Sequence, residues 1–388
     1  MGKLTRRTFL GKIGITVAST AMAATVPSIL SYANVKSGLK GEKKLNIALC
    51  GLGNYANVLA TGLELSQYCH LAGIVTGHPE KAKEWKIKYN IPEQNIYNYE
   101  NFDSISTNKD IDLVYVVLPN GLHKEFTIRA AKAGKHVICE KPMAITVKDC
   151  EEMISACKSA GVQLAIGYRL HFEPTHLEIK RLGQDKVFGQ VRMIQASLGY
   201  LTYDIKTKTE QRNFNINDDS EWRLRKAMAG GGPLMDLGIY CIQASRYILG
   251  EEPINVTGQF GTINNKTRFS QVEESITWQM QFPSGAISNC TTSCGFNIDN
   301  LYAAADDGFF ELSPALSYGP FVGRSSKGEI KFPVINQQAV QLDTIGRMIL
   351  ENKSLPSHIT GEEGLKDIRI IEAIYKSANM AKKVPLEG

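Results

Sequence analysis

From Leu45 onward the chain alternates short apolar runs with longer segments of helical periodicity. Residues 45–50, 70–75, 111–118, 136–139 and 164–168 read as strands, and helical segments open at Asn54, His123 and Val147. The strands are apolar almost without interruption, as strands covered on both faces are. Strand alternating with helix predicts a doubly wound parallel α/β sheet. After Tyr168 and Arg169 the pattern changes. Residues 191–200, 254–263, 274–282 and 286–295 read as longer strands, and Ile276, Trp278, Met280 and Phe282 alternate with polar positions. That predicts an α+β domain on a large, mostly antiparallel open sheet with one covered face. Residues 362–381 read as an amphipathic helix whose apolar stripe is Leu365, Ile368, Ile371 and Ile374.

Ahead of residue 45 the chain reads as a leader. Thr5-Arg6-Arg7-Thr8-Phe9-Leu10-Gly11-Lys12 has the form of a twin-arginine export signal, a mildly apolar stretch follows, and Ser31-Tyr32-Ala33 offers a cleavage site. The alternative is an ordinary basic N-terminus before an amphipathic helix. The expected organisation is a signal peptide over 1–33, a linker or arm over 34–44, a first domain over 45–166 and a second over 167–388. The expected compartment is the periplasm.

Charge and cysteine content narrow the partners. The net charge is +5, and Lys3, Arg6, Arg7 and Lys12 of the leader supply four of it. The body is therefore near neutral, and no nucleic acid or acidic membrane surface is expected as a partner. No apolar run after residue 45 is long enough to span a bilayer. The eight cysteines show no CxxC pair and no Cys/His cluster with zinc spacing. They read as small buried residues, and no metal site is expected.

The first strand runs into Gly51-Leu52-Gly53-Asn54-Tyr55-Ala56, the GxGxxA form of the dinucleotide fingerprint. The first glycine makes a tight turn, the second admits the pyrophosphate, and the small third residue lets helix and strand pack closely. The second strand ends in Thr76 where NAD-binding sheets place an acid, and Lys81 follows. A hydroxyl and a cation suit a 2′-phosphate, so NADP is expected over NAD. The alternative for Lys81 is a solvated helix residue. Farther on, His136-Val137-Ile138-Cys139 stops at Glu140-Lys141-Pro142. Two ionisable residues at the carboxyl end of a strand stand where open α/β sheets bind ligands. In the second domain, Gly230-Gly231-Gly232 reads as a flexible lead into a helix carrying Asp236 and Tyr240 four apart, hence on one face.

Gly51-Leu52-Gly53, Glu140-Lys141-Pro142, the glycine triplet and Asp236-Leu237-Gly238-Ile239-Tyr240 together resemble the Gfo/Idh/MocA oxidoreductase family. Within it the likeness is to the periplasmic glucose–fructose oxidoreductase branch, through Gly167-Tyr168-Arg169, Trp222-Arg223-Leu224-Arg225, Leu249-Gly250-Glu251-Glu252-Pro253 and Gly361-Glu362-Glu363-Gly364. Tyr240 stands where many members carry histidine. The resemblance implies Lys141, Asp236 and Tyr240 as the catalytic set. It also implies cofactor contacts from Gly51, Leu52, Gly53, Asn54, Tyr55, Thr76 and Lys81, and from Asn120, His123, Glu140, Lys141, Arg169, Trp222 and Arg223. That branch uses a long N-terminal arm to cover its cofactor and pack on a neighbour, and the corresponding segment here is short. A homodimer or tetramer through the second domain's sheet is implied by the same resemblance.

The implied activity oxidises an aldose such as glucose at C1 to the lactone and reduces a second sugar or carbonyl, such as fructose, in a ping-pong cycle on tightly bound NADP. The leader favours that cycle, because a periplasm holds no nicotinamide pool for exchange. Three alternatives stay open. They are an exported NAD-dependent glycoside hydrolase of the same fold, an ordinary NADP-dependent aldose dehydrogenase, and a non-catalytic sugar- or nucleotide-binding protein.

Overall fold

The computed structural model describes residues 43–203, 216 and 218–386. The export signal, its cleavage site and nearly all of the linker lie outside the described residues. The first half contains β1 Leu45–Cys50, α1 Asn54–Leu65, β2 Cys69–Val75, α2 Pro79–Tyr89, β3 Ile96–Tyr97, β4 Leu113–Val116, α3 His123–Lys132, β5 His136–Cys139, α4 Val147–Ser159 and β6 Leu164–Ile166. These strands form a wholly parallel sheet in the order β3-β2-β1-β4-β5-β6. The order reverses between β1 and β4, and the crevice at that switch point is where such sheets take their ligands. Every residue of β4 is buried, as its apolar run predicts.

The second half contains α5 Pro174–Gln184, β7 Val191–Gly199, α6 Lys226–Ala229, α7 Ile239–Leu249, β8 Asn255–Phe260, β9 Ser275–Gln281, β10 Ile287–Ser293 and β11 Ile298–Ala305. It continues with β12 Gly308–Leu312, β13 Gly323–Ser325, β14 Gly328–Ile330, α8 Gln337–Leu350, α9 Gly361–Met380 and β15 Val384–Pro385. Its sheet runs β14-β13-β12-β11-β7-β10-β9-β8-β15, and only the β7–β10 pair is parallel. Along β9, Ile276, Trp278 and Met280 are buried while Thr277 and Gln279 face outward. The buried face packs on α7 and α9. The sheet is much wider than the four strands read from the pattern, because β11 to β14 are short or rich in small and polar residues.

Two expectations are corrected. Gly231 and Gly232 are buried, not a flexible lead. A Cβ at 231 would stand 1.9 Å from the Tyr375 hydroxyl, and one at 232 would stand 2.3 Å from the Glu273 carbonyl. Close approach by α9 and the segment leading into β9 sets these glycines. The helix carrying Asp236 also begins differently, with a wide π-type turn over Leu234–Gly238 before α7. Among the eight cysteines none is paired, and all but the partly covered Cys294 are buried.

Candidate active site

At the dinucleotide end, Gly51 and Gly53 answer different demands. Gly51 has φ +102°, and a Cβ there would meet the Val117 carbonyl at 2.7 Å. Gly53 has open space, with nothing within 4 Å of a Cβ. The fold therefore does not need glycine at 53, whereas a pyrophosphate lying against the turn does. Gly53 opens α1 with no side-chain cap and no acid in the first turn, which leaves the positive end of the helix to an anion. Leu52 and Ala56 are buried, and Asn54 is exposed beside them. These residues fit a dinucleotide.

Thr76 is buried at the end of β2, where its hydroxyl accepts from the His78 N–H at 3.2 Å. Lys81, exposed on α2, reaches back so that Nζ donates to the Leu52 carbonyl at 3.2 Å. The cation thus bridges the glycine-rich turn and the end of β2. Asn120 donates from Nδ2 to the Ala229 carbonyl at 2.9 Å and ties α6 to the first sheet. The His123 ring is buried, with Nδ1 2.9 Å from the Pro142 carbonyl and Nε2 2.8 Å from the Leu118 carbonyl. Burial pushes its pKa down, and a neutral ring donates to one of the two carbonyls. His123 thus packs into the frame around Lys141.

Lys141, Asp236 and Tyr240, the set the resemblance implies, are brought together across the two sheets. Lys141, at the end of β5, donates from Nζ to the Asp236 main-chain carbonyl at 2.7 Å and to Oδ1 at 3.2 Å. The same ammonium lies 4.6 Å from the centre of the Tyr240 ring. Burial would raise the Asp236 carboxyl, but Lys141 and Arg223 outweigh it and hold it at about 2. Arg223 donates from Nε to Asp236 Oδ2 at 2.9 Å, with its guanidinium 4.3 Å from the Trp222 ring centre. Arg223 is therefore brought to the Asp236 carboxylate, with Trp222 against its guanidinium. A small apolar cluster of Leu224, Phe269 and Val272 anchors that segment.

Behind the trio sit Glu140 and Arg169. The Tyr115 hydroxyl donates to Glu140 Oε1 at 2.6 Å and accepts from Gln341 Nε2 at 2.9 Å. Burial lifts the Glu140 carboxyl to about 7, against the opposing pull of the Tyr115 hydrogen bond and of Lys141. Arg169 is 2% exposed, with its guanidinium 5.1 Å from the Tyr240 ring centre and 4.3 Å from that of Tyr318. Its Nη1 donates to Gln337 Oε1 at 2.6 Å and its Nη2 to the Leu316 carbonyl at 3.2 Å. Gln338, next on α8, donates to the Tyr55 hydroxyl at 3.3 Å. Sequence reasoning missed Tyr115, Tyr318 and the three glutamines. The signals were a lone tyrosine in the aliphatic run 113–116 and a glutamine cluster after Asn336, whose side chain caps α8.

A dinucleotide cradle facing a Lys–Asp–Tyr cluster defines the class: a nicotinamide-dependent oxidoreductase with a Rossmann domain. The family model described as oxidoreductase family, NAD-binding Rossmann fold, matches residues 45–168, and the GFO/IDH/MocA C-terminal domain model matches residues 176–302. The chain belongs to the Gfo/Idh/MocA oxidoreductase family. It is 27% identical over 356 residues to the D-xylose 1-dehydrogenase [NADP(+)] of Haloarcula marismortui, covering 89% of this chain and 94% of that one. A 1,5-anhydro-D-fructose reductase of Ensifer adhaerens is 27% identical over 72% of this chain and 80% of its own. Among solved structures, aldose-aldose oxidoreductase from Caulobacter crescentus, complexed with glycerol, is 41% identical with a TM-score of 0.82. The match covers 89% of this chain and 100% of that one. Among the described residues there is no group of three metal-ligating side chains, and no helix long and apolar enough to cross a membrane.

Proposed function

We propose that this protein is an exported sugar oxidoreductase that holds NADP tightly, oxidises an aldose at C1 to the lactone and reduces a second sugar in a ping-pong cycle. The observation that carries the reading is the Lys141–Asp236–Tyr240 cluster at the ligand edge of the first sheet. Bound NADP supplies the hydride acceptor for the first sugar and the donor for the second. Tyr240 takes the C1 hydroxyl proton during oxidation and returns it to the carbonyl oxygen of the second sugar. The Lys141 ammonium favours the phenolate that does so. Asp236, kept ionised by Lys141 and Arg223, accepts a hydrogen bond from a sugar hydroxyl and orients the ring. Glu140 and Arg169 stand behind Lys141 and Tyr240. Thr76 and Lys81 support NADP over NAD, as does the cofactor named for the Haloarcula relative.

The name of the Caulobacter relative supports an aldose as the second sugar, in place of the fructose-like acceptor the sequence suggested. The export signal read in residues 1–33 supports a cofactor that never leaves, since a periplasmic enzyme cannot exchange it. The Haloarcula relative favours a second reading, a dehydrogenase that releases its cofactor. We assign self-association to the outward face of the nine-stranded sheet, where Thr257, Gln259, Thr277 and Gln279 are exposed; sedimentation of a charged variant there tests it.

Absorbance and fluorescence of protein purified without added cofactor decide between the readings. A reduced-nicotinamide band that grows with one aldose and vanishes with a second is expected. A band that grows and is not discharged by any sugar gives the dehydrogenase, and absence of bound cofactor refutes the cycle. Tyr240→Phe is expected to lower turnover by roughly 10²- to 10⁴-fold, the range of general acid–base catalysis. Full turnover in that variant would remove Tyr240 from the reaction.

A further inference from the structure

Among the described residues two arginines are deeply buried, and they are treated in opposite ways. Arg246, on α7, is 4% exposed and meets three carboxylates: Glu252 at 2.6 Å, Glu363 at 2.9 Å and Asp367 at 2.7 Å. That is the usual treatment, because a buried charge left without a counter-charge is costly. Arg169 is buried as deeply and makes no ion pair to a carboxylate among the described residues. Its polar partners are an amide oxygen, Gln337 Oε1, a main-chain carbonyl and the Tyr240 side chain, and its Nε has no acceptor. The remaining faces of the guanidinium lie on the rings of Tyr240 and Tyr318. Gln337 is the first residue of α8, fixed by the Asn336 cap, and glutamate there would be of the same shape. The fold thus offers a site for a counter-ion and fills it with an amide.

We propose that Gln337 is a positioning residue that keeps Arg169 a bare cation beside Tyr240, so that two cations, not Lys141 alone, hold the Tyr240 phenol in its ionised form. The proposal rests on Tyr240 acting as the base. The groups facing Tyr240 make the charge count clear. Lys141 comes from the end of β5 and Arg169 from the turn after β6. Asp236 comes from its own segment and is already shared between Lys141 and Arg223. Tyr55 of α1, Tyr200 beyond β7 and Tyr318 before β13 are phenols whose pKa values burial raises, so they stay neutral through the working range. Glu140 stands behind, out of ion-pair contact with Arg169 but within its field, and it interacts with Lys141 and Tyr55 as well. With Asp236 drawing on Lys141, Arg169 is the cation whose field is not spent on a carboxylate in contact. A glutamate at 337 would cancel it without altering the packing.

The test is an ultraviolet difference titration of the holoenzyme against Tyr240→Phe, which isolates one phenol among 15 tyrosines. It is read beside the pH profile of aldose oxidation. Gln337→Glu is expected to move both the phenol midpoint and the acid limb of the profile upward by about one pH unit, the effect of removing one nearby opposite charge. Gln337→Met, which removes the amide and adds no charge, is expected to leave the midpoint in place. An unmoved midpoint in Gln337→Glu overturns the proposal, and so does an equal shift in Gln337→Met. If Gln337→Glu does not fold, Arg169→Gln removes the cation directly and is expected to give the same upward shift; no shift there overturns the proposal. The titration needs no turnover, so it stands even if Tyr240→Phe shows that the base lies elsewhere.

Discussion

Replacing Glu140 by glutamine should stabilise this protein, and should do so only at neutral and alkaline pH. Burial lifts the carboxyl from 4.5 to about 7 in the folded protein. Between those values the folded state binds a proton that the unfolded chain has lost, so stability falls as pH rises across that window. The penalty is nearly absent below pH ~4 and complete above pH ~7, where it reaches about 3 kcal/mol. Glutamine is neutral throughout and escapes it. It still accepts from the Tyr115 hydroxyl, but it weakens the contact of Oε2 with the Lys141 N–H, 3.3 Å away. That loss is about 0.5–1 kcal/mol and does not depend on pH. The stability of Glu140→Gln relative to wild type should therefore grow by about 2.5 kcal/mol between about pH 5 and pH 8. Thermal melts of both proteins in the same cofactor state should show the gap widening by roughly 4 °C. A gap that stays constant, or narrows as pH rises, would refute the assignment of Glu140 as a carboxyl held largely neutral by burial.

The two fingerprint glycines should separate fold from function. Gly51→Ala forces a side chain into a positive φ and against the Val117 carbonyl, and should cost about 1–3 kcal/mol in a melt. Gly53→Ala meets nothing and should stay within about 1 kcal/mol of wild type. The same variant should weaken cofactor binding by roughly tenfold or more, since its methyl enters the pyrophosphate's space; calorimetric titration of cofactor-stripped protein reads both. In the same titration Lys81→Ala should weaken NADP by about tenfold and NAD little, the worth of one charge-assisted hydrogen bond. Equal losses for the two cofactors would return Lys81 to an ordinary helix surface.

The parallel sheet was legible because its signals are local. Each strand is an uninterrupted apolar run, and the glycine turn and Lys141 lie within a few residues of the strand ends that position them. The width of the second sheet was hidden. β11 reads Ile-Asp-Asn-Leu-Tyr-Ala-Ala-Ala, and only Leu301 and Ala303 along it are fully buried, so its pattern alternates weakly. The fate of His123 was illegible for another reason. Nothing in the sequence says that the Pro142 and Leu118 carbonyls, 19 and 5 residues away, converge on one imidazole. The bond of Arg223 to Asp236 was illegible too, because it depends on a loop held by Leu224, Phe269 and Val272. The glutamines of α8 lie nearly two hundred residues beyond Lys141 in the chain and carry no charge to draw notice.

That dispersal explains why the site is rigid where its sequence looks loose. Asp236 is not held by its own helix alone. Glu273 accepts from the Gly232 N–H at 2.9 Å and the Leu234 N–H at 3.1 Å, and the Tyr375 hydroxyl donates to the same carboxylate at 2.8 Å. Together they clamp the turn that presents Asp236 to Lys141. The clamp needs the backbone of Gly231 and Gly232 to lie against α9 and the segment leading into β9, which only residues without a Cβ allow. Lys141 arrives from the other side on a strand whose every neighbour is buried, framed by His123. A Lys–Asp contact built between two separately packed layers forms only when both layers have reached their final positions. Correct folding and an ionised Asp236 beside Lys141 are then one event, complete as soon as the two sheets are in place.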